Sequence, residues 1–354
     1  MKQNTLSSSA GTNQNIYIYL SPLYQEIIPL QLKSAGKFLV LLPVLIGLCC
    51  SRLAGPEPPL SVCEECAPVD PKPNAARFGF YSDGFYQGYA VHCDSLILLF
   101  GKSPGYTLWF QQIDDPFPAA VVAENALRSI ETVISINLKS LSLDQARNDT
   151  LLKEIALGVW DSTLSAFAAG AVRSGVTVFL RFGYEMNGDW FPWGNKPGEF
   201  ISAWLHTRLI FKNAGANNVQ WVFSPNVLWA DRAFERDLLP YYPGDSAVDI
   251  VGIDGYNFGD GYDEWHRWQS FKEVFGATLR AAAAFGKPLW ITEAGCPSDP
   301  RRPAWLRELF FFLDDNPCVG AVLWFNAHKT SEPDFRLQAD NASLTSIRDW
   351  LAVQ

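Results

Sequence analysis

The stretch TVFLRFGYEMNGDWFPWG, Thr177 to Gly194, decides the fold. It opens as an apolar run, Val178, Phe179 and Leu180, of the kind found in strands buried on both faces. Its character changes at Arg181, after which Tyr184, Glu185, Asn187, Asp189, Trp190 and Trp193 follow closely. A carboxylate just past the end of a buried strand, followed by tryptophans and a glycine, suits the mouth of a barrel where a carbohydrate is stacked and protonated. Taken alone, a strand-end glutamate more often makes a structural hydrogen bond, because polar strand ends are common.

A second stretch of the same design changes that balance. In PLWITEAGCP, Pro288 to Pro297, the run Leu289, Trp290, Ile291 leads to Glu293 and then Ala294 and Gly295. The two glutamates stand roughly 110 residues apart, which is three strand-plus-helix units of about 30 to 36 residues. Carboxylates at the same ends of strands three units apart face each other across a barrel mouth. A retaining glycosidase needs such a pair, one to protonate the leaving oxygen and one to attack the anomeric carbon.

Counting units outward supports a (β/α)8 barrel. Strand runs are read at 77–81, 106–111, 132–138, 177–182, 219–223, 248–253, 288–292 and 320–325, which makes eight. Helical patterns separate most of them, at 119–130, 151–173, 199–213, 270–285 and 305–313, with another at 344–352. Alternation of this kind implies a parallel sheet, and eight units close a barrel. Glu185 then belongs to the fourth strand and Glu293 to the seventh.

Other strand ends carry further candidates. The sixth runs into GIDGYNFGDGYDEWHRW, where Asp254 and Tyr256, two apart, point the same way. Tyr256 can donate to a glutamate nucleophile and keep it ionised, or simply pack with a solvated hydroxyl. Trp265, His266 and Trp268 in the following loop are candidates for substrate contact or for a loop mini-core. Trp324 at the end of the eighth strand is expected to floor the reacting subsite, and Trp109 and Asn226 fall on the same rim. None of the four histidines has a triad or metal-type setting.

With 354 residues, 48% hydrophobic and 14% aromatic, the chain suffices for one barrel-sized catalytic domain, placed at 76–354. A net charge of −9 argues against nucleic acid as a partner and permits a neutral polymer. Residues 1–53 read as an N-terminal extension plus a signal or anchor segment. Lys33 and Lys37 precede the apolar run Phe38 to Cys50, too short for a confident membrane span and suited to export. The long preamble leads to the expectation that translation starts nearer Leu32. Cys49 and Cys50 resemble a bacterial lipoprotein cleavage box, so a lipid anchor is weighed equally with simple secretion or an uncleaved anchor. Residues 54–75 are proline-rich and read as a tether.

The CxxC of Cys63 and Cys66 lacks a second pair or His cluster at zinc-ligand spacing, so no metal site is expected. A local disulfide, or pairing with Cys93, is expected in an oxidising compartment. Cys296 and Cys318 read as buried thiols.

At this point the residues resemble a known family. RFGYEMNGDWFPWG is similar to the acid/base segment of glycoside hydrolase family 26, R-x-x-H-E-M-N-G-x-W-x-x-W, and WITEAG to its nucleophile segment. IALGVWD, the Asp and Tyr of GIDGYN, VLWFNAHK, DFRL and SLTSIRDWL extend the resemblance from about Arg77 to Leu351. It implies a (β/α)8 barrel that cleaves β-linked polysaccharide with retention, most often as an endo-β-1,4-mannanase, acting as a monomer and without a cofactor. By this likeness Glu185 is the acid/base, Glu293 the nucleophile and Tyr256 its hydrogen-bond partner. By the same likeness Trp190 and Trp324 line the reacting subsite with Asp254 beside it; Tyr184, Trp109, Trp193 and Arg181 are further substrate-binding candidates. The family carries His where this chain has Tyr184.

Two alternatives stay open. One is a mixed-linkage β-glucanase or β-1,3-xylanase on the same site. The other, prompted by Tyr184, is a weakly catalytic glycan-binding protein of polysaccharide synthesis or export. A phosphate-using metabolic barrel is disfavoured, because no glycine-rich phosphate loop follows the seventh or eighth strand.

Overall fold

A computed structural model of the chain describes residues 59–70, 72–228, 237–264 and 266–353. The expected export segment and lipidation cysteines, and Trp265, lie outside these residues. Eight parallel strands close into a barrel in sequence order: β1 (Phe78–Ser82), β2 (Tyr106–Gln112), β3 (Glu131–Asn137), β4 (Val178–Phe182), β5 (Val219–Phe223), β6 (Ile250–Tyr256), β7 (Leu289–Gly295) and β8 (Val319–Asn326). Closure is made by β8 pairing in parallel with β1. Each strand lies within three residues of its expected bounds at either end.

Helices α1 (Asn74–Arg77), α2 (Phe85–Phe100), α3 (Ala119–Leu127), α4 (Gln145–Ala156), α5 (Asp161–Ser174), α6 (Pro197–Asn213), α7 (Phe271–Ala283), α8 (Arg302–Asp315) and α9 (Asn341–Ala352) accompany the strands. Their starts follow local chemistry. Asp144 accepts the Arg147 N–H at the head of α4, Ser270 and Glu273 form a reciprocal capping box on α7, and Pro197 opens α6. The single helix expected over 151–173 is two helices bent by 71°. Gly158, at φ +83°, ends the first. Apolar periodicity on both sides of that break hid it. Among the described residues no single helix is long and apolar enough to cross a membrane.

The barrel interior is divided along its axis. At the N-terminal end of the strands, Tyr106, Phe179 and Trp290, from three non-adjacent strands, meet as a plug with centroids 4.8 to 5.7 Å apart. At the C-terminal end the filling becomes polar: Ser135, Arg181, Ser224, Asp254, Thr292 and Glu293 are all buried there. A buried polar layer is tolerated only when its members satisfy one another. Arg181 donates to Ser135 Oγ (2.8 Å), Ser224 Oγ (3.0 Å) and Asp254, and Thr292 Oγ1 donates to Asp254 (2.7 Å).

The segment expected as a tether is anchored over its described part. Val62 is buried and its N–H donates to Asn316 Oδ1 (2.8 Å), while Asn316 Nδ2 donates to Leu60 O (3.0 Å). Cys63 and Cys66 lie against Cys318, not Cys93, which is a buried free thiol. Proline-rich composition signalled the lack of regular structure; it said nothing about packing.

Candidate active site

The chain leaves β4 through a turn that places a glutamate over the barrel mouth. Gly183 sits at φ +64°, and a side chain there would strike Leu138 Cδ1 at 2.5 Å. Glu185 itself is at φ +52°, a left-handed conformation that costs a non-glycine residue about 1 to 2 kcal/mol. The surroundings hold it there: its N–H donates to Ser224 O at 2.7 Å. Glu185 is 7% exposed, and its carboxylate is fixed at both oxygens, Oε2 by Trp190 Nε1 (2.7 Å) and Oε1 by Asn226 Nδ2 (2.9 Å). Asn226, just past β5, is clamped by reciprocal bonds with Asn187.

Glu293 comes from within β7, beside Asp254 in the register with β6. It is buried. Arg181 Nη1 lies 2.8 Å from its Oε1, and the Tyr256 hydroxyl donates to Oε2. The Arg181 contact is a close ion pair on one side of Oε1, an oxygen with two lone pairs.

The two carboxyls share one cavity of about 640 Å³, within the range of ligand sites. Burial, and then the charge of Glu293, push the Glu185 carboxyl up to about 7, against the donors Trp190 and Asn226. Glu293 sits beside a permanent cation that Glu185 does not touch. Environments that differ in this way divide the labour of a carboxylate pair: one group holds a proton near neutrality and the other has a partner for its negative charge.

Of the expected site residues, the structure brings Glu185, Glu293, Tyr184, Trp190 and Tyr256 to the cavity wall. Trp190 is 42% exposed, leaving ring surface for a sugar to stack on. Tyr184 donates its hydroxyl to Asn137 Oδ1 at 2.7 Å, and its ring lies under the Arg181 guanidinium. The remaining candidates are displaced. Arg181 and Asp254 are completely buried beneath the cavity. Burial raises the Asp254 carboxyl, against the pull of Arg181. Trp324 is 1% exposed, bonded through Nε1 to Phe335 O (2.8 Å) and packed edge-on against Trp305 of α8, so it faces the helices. Trp193 lies behind Tyr184, donating to its carbonyl at 2.7 Å. Trp109 packs on Tyr86 and Tyr89, away from the cavity.

Other residues take the vacated places. Tyr81 and Phe325, stacked at 4.7 Å, line the cavity with Phe110; Phe110 and Phe325 are the chain neighbours of Trp109 and Trp324. Alternation along β8 was the available signal: if Trp324 faces out, Phe325 faces in. Lys139, just past β3, and Lys329 and Glu332, past β8, also line the cavity. From the long loop after β6, His266 reaches the cavity with its ring against Asp263, whereas Trp268 is covered by Arg301.

Comparison with known proteins agrees with this geometry. The model of glycosyl hydrolase family 26 matches residues 157–291, which include Glu185 and end two residues before Glu293. Endoglucanase H of Acetivibrio thermocellus is 33% identical over 206 residues, covering 55% of this chain and 22% of the relative. A mannan endo-1,4-beta-mannosidase of Bacillus subtilis is 33% identical over 193 residues, covering 49% and 47%. The chain covers less than half the length of either. Among solved structures, an endo-beta-1,4-mannanase of Cellulomonas fimi superposes with a TM-score of 0.58 at 18% identity, covering 78% of this chain and 70% of that one. A beta-mannanase of Bacteroides ovatus gives 0.54 at 18%, covering 82% and 89%. At such identity these two likenesses are of fold.

Proposed function

We propose that this family 26 barrel hydrolyses β-linked polysaccharide with retention, and that its substrate is β-1,4-mannan cleaved within the chain. The observation that carries the reading is the pair Glu185 and Glu293 in one cavity with opposed surroundings. Glu185, protonated near neutrality, donates to the glycosidic oxygen as it leaves. Glu293, with Oε1 beside Arg181, attacks the anomeric carbon. Tyr256 holds the other oxygen and so limits the carboxylate's rotation. Once the glycosyl-enzyme has formed, Glu185 is a carboxylate and takes a proton from the water that releases the sugar.

Mannan is favoured because a mannosidase is among the relatives at 33% identity. The name endoglucanase H makes β-glucan the comparator. The apolar run at 38–50 supports export, with Cys49 or Cys50 as lipid-anchor sites, and a bridged cysteine pair suits an oxidising compartment.

The test is a panel of β-mannan, mixed-linkage β-glucan and β-1,3-xylan, with proton NMR of the first anomer released. Retained β-anomer from mannan is expected. Inverted product would remove Glu293 from the nucleophile's role. Glu293→Ala should lower turnover by on the order of 10⁵-fold, as nucleophile removal does elsewhere, and an undiminished rate would exclude the mechanism.

A further inference from the structure

At the opposite end of the barrel from the carboxylates, three cysteines converge. Cys63 and Cys66 come from the segment before α1, and Cys318 immediately precedes β8. Their sulfurs all lie within 4.8 Å of one another. Cys318 is within bridging distance of both partners, Cα to Cα 5.5 Å from Cys63 and 6.4 Å from Cys66. One sulfur forms one disulfide, so the two pairings exclude each other and a thiol is always left over.

We propose that Cys63, Cys66 and Cys318 form a thiol–disulfide exchange centre, in which the bridge to Cys318 passes between Cys63 and Cys66 and the released thiol takes up small-molecule disulfides. The surroundings supply what exchange requires. Asn316 bonds the backbone at Leu60 and Val62, so the segment stays docked whichever pairing holds. The Cys318 N–H donates to Cys63 Sγ at 3.3 Å, which favours charge on that sulfur when it is released. Cys66 and Cys318 are buried, whereas Cys63 is partly exposed, so the accessible thiol belongs to the state with the Cys66–Cys318 bridge.

In the exchange step the Cys63 thiolate attacks Cys318 Sγ. The Cys63–Cys318 bond forms, the Cys66–Cys318 bond breaks, and Cys66 leaves as a thiolate that takes a proton from water. No electrons are gained or lost overall. With an external disulfide, the Cys63 thiolate attacks one sulfur, a mixed disulfide forms, and the other half departs as its thiolate.

The sequence provides the means of reading this. Glu64 and Glu65 stand between the two cysteines, so cleavage after glutamate separates them. The full chain, purified without reductant, is quenched in acid, alkylated and digested. Mass spectrometry should find both cross-links to Cys318, each in at least about a tenth of the molecules, with the complementary cysteine alkylated. Oxidised glutathione should add one adduct, mainly on Cys63, and Cys63→Ser should lower that yield about tenfold or more while keeping the Cys66–Cys318 link. One cross-link in essentially all molecules, a Cys63–Cys66 bridge with Cys318 reduced, or three reduced cysteines with one bound zinc in the native mass would each overturn the proposal.

Discussion

Replacing Trp190 with Phe removes a hydrogen-bond donor from Glu185 while keeping an aromatic ring on the cleft rim. The indole N–H lies 2.7 Å from Oε2 and stabilises the ionised carboxylate, so its loss raises the proton affinity of Glu185. A hydrogen bond to a charged group contributes about 1.5 to 3 kcal/mol. Because Trp190 is 42% exposed, water replaces part of it, leaving about 1 to 1.5 kcal/mol, or close to one pH unit. From a starting value of about 7, Glu185 then titrates near about 8. In the proposed reaction Glu185 must be protonated for the first step, so the alkaline limb of kcat/KM falls as pH rises through its pKa. In Trp190→Phe that limb moves upward by about one unit.

The assay is the pH profile of kcat/KM on manno-oligosaccharides, whose poor leaving groups demand protonation. The position of the limb is the readout, because the smaller ring also weakens stacking and lowers the whole curve. A carbon-13 NMR titration of the glutamate carboxyls reads the same change without substrate. An unmoved limb, or one displaced downward, would refute the acid role given to Glu185 and the electrostatic part given to Trp190.

Tyr256→Phe takes a hydroxyl donor from Glu293 Oε2 and leaves the ring, so kcat should fall by about 10- to 100-fold with the fold intact by circular dichroism; an unchanged kcat would contradict it. Arg181→Met leaves Asp254 buried without its cation and should destabilise the barrel by about 3 to 5 kcal/mol in urea unfolding. A loss below about 1 kcal/mol would mean that the Ser224 and Thr292 hydroxyls alone satisfy Asp254.

The barrel was legible because eight apolar runs each ended in a change of character, and because two of those ends carried glutamates at a spacing of whole units. Burial on both faces makes such strands continuous apolar runs, which no loop imitates. The aromatic lining was harder to read, for a physical reason. Trp109 and Trp324 stand on the C-terminal halves of β2 and β8 and Trp193 in the loop after β4, yet tryptophan is also the side chain best able to fill space between a strand and its helix. Trp324 does this against Trp305, and its indole N–H finds Phe335 O there. Type and position did not decide between the two faces; alternation along β8 decided it, in favour of Phe325. Arg181 shows the opposite ambiguity: a charged side chain on an inward strand position reads as a substrate contact, but here it lies below the cavity and pairs with Asp254 and with Glu293 of the cavity wall. Chain pairing with Cys318 rested on tertiary geometry, since 255 positions separate it from Cys63.

Tyr184, where the family pattern has His, is where sequence and geometry together lead to a sharper expectation than either alone. The hydroxyl already donates its single proton to Asn137 Oδ1 at 2.7 Å, so it has no proton to offer a sugar hydroxyl unless that bond breaks. The ring, packed face-on against the Arg181 guanidinium and against Phe110 and Phe191, is what the cavity meets. Tyr184→Phe keeps the ring and removes only the hydroxyl. Asn137 lines the same cavity, where water can replace the lost donor, so the stability cost should stay near or below about 1 kcal/mol. KM and kcat should each remain within about threefold, because no contact to the reacting sugar is lost; a threefold change is about 0.7 kcal/mol, less than a hydrogen bond to substrate. If kcat/KM instead falls by more than about tenfold while thermal stability is unchanged, the hydroxyl must leave Asn137 for the substrate in the working complex, and Tyr184 would then be a sugar-binding donor in place of the family's histidine.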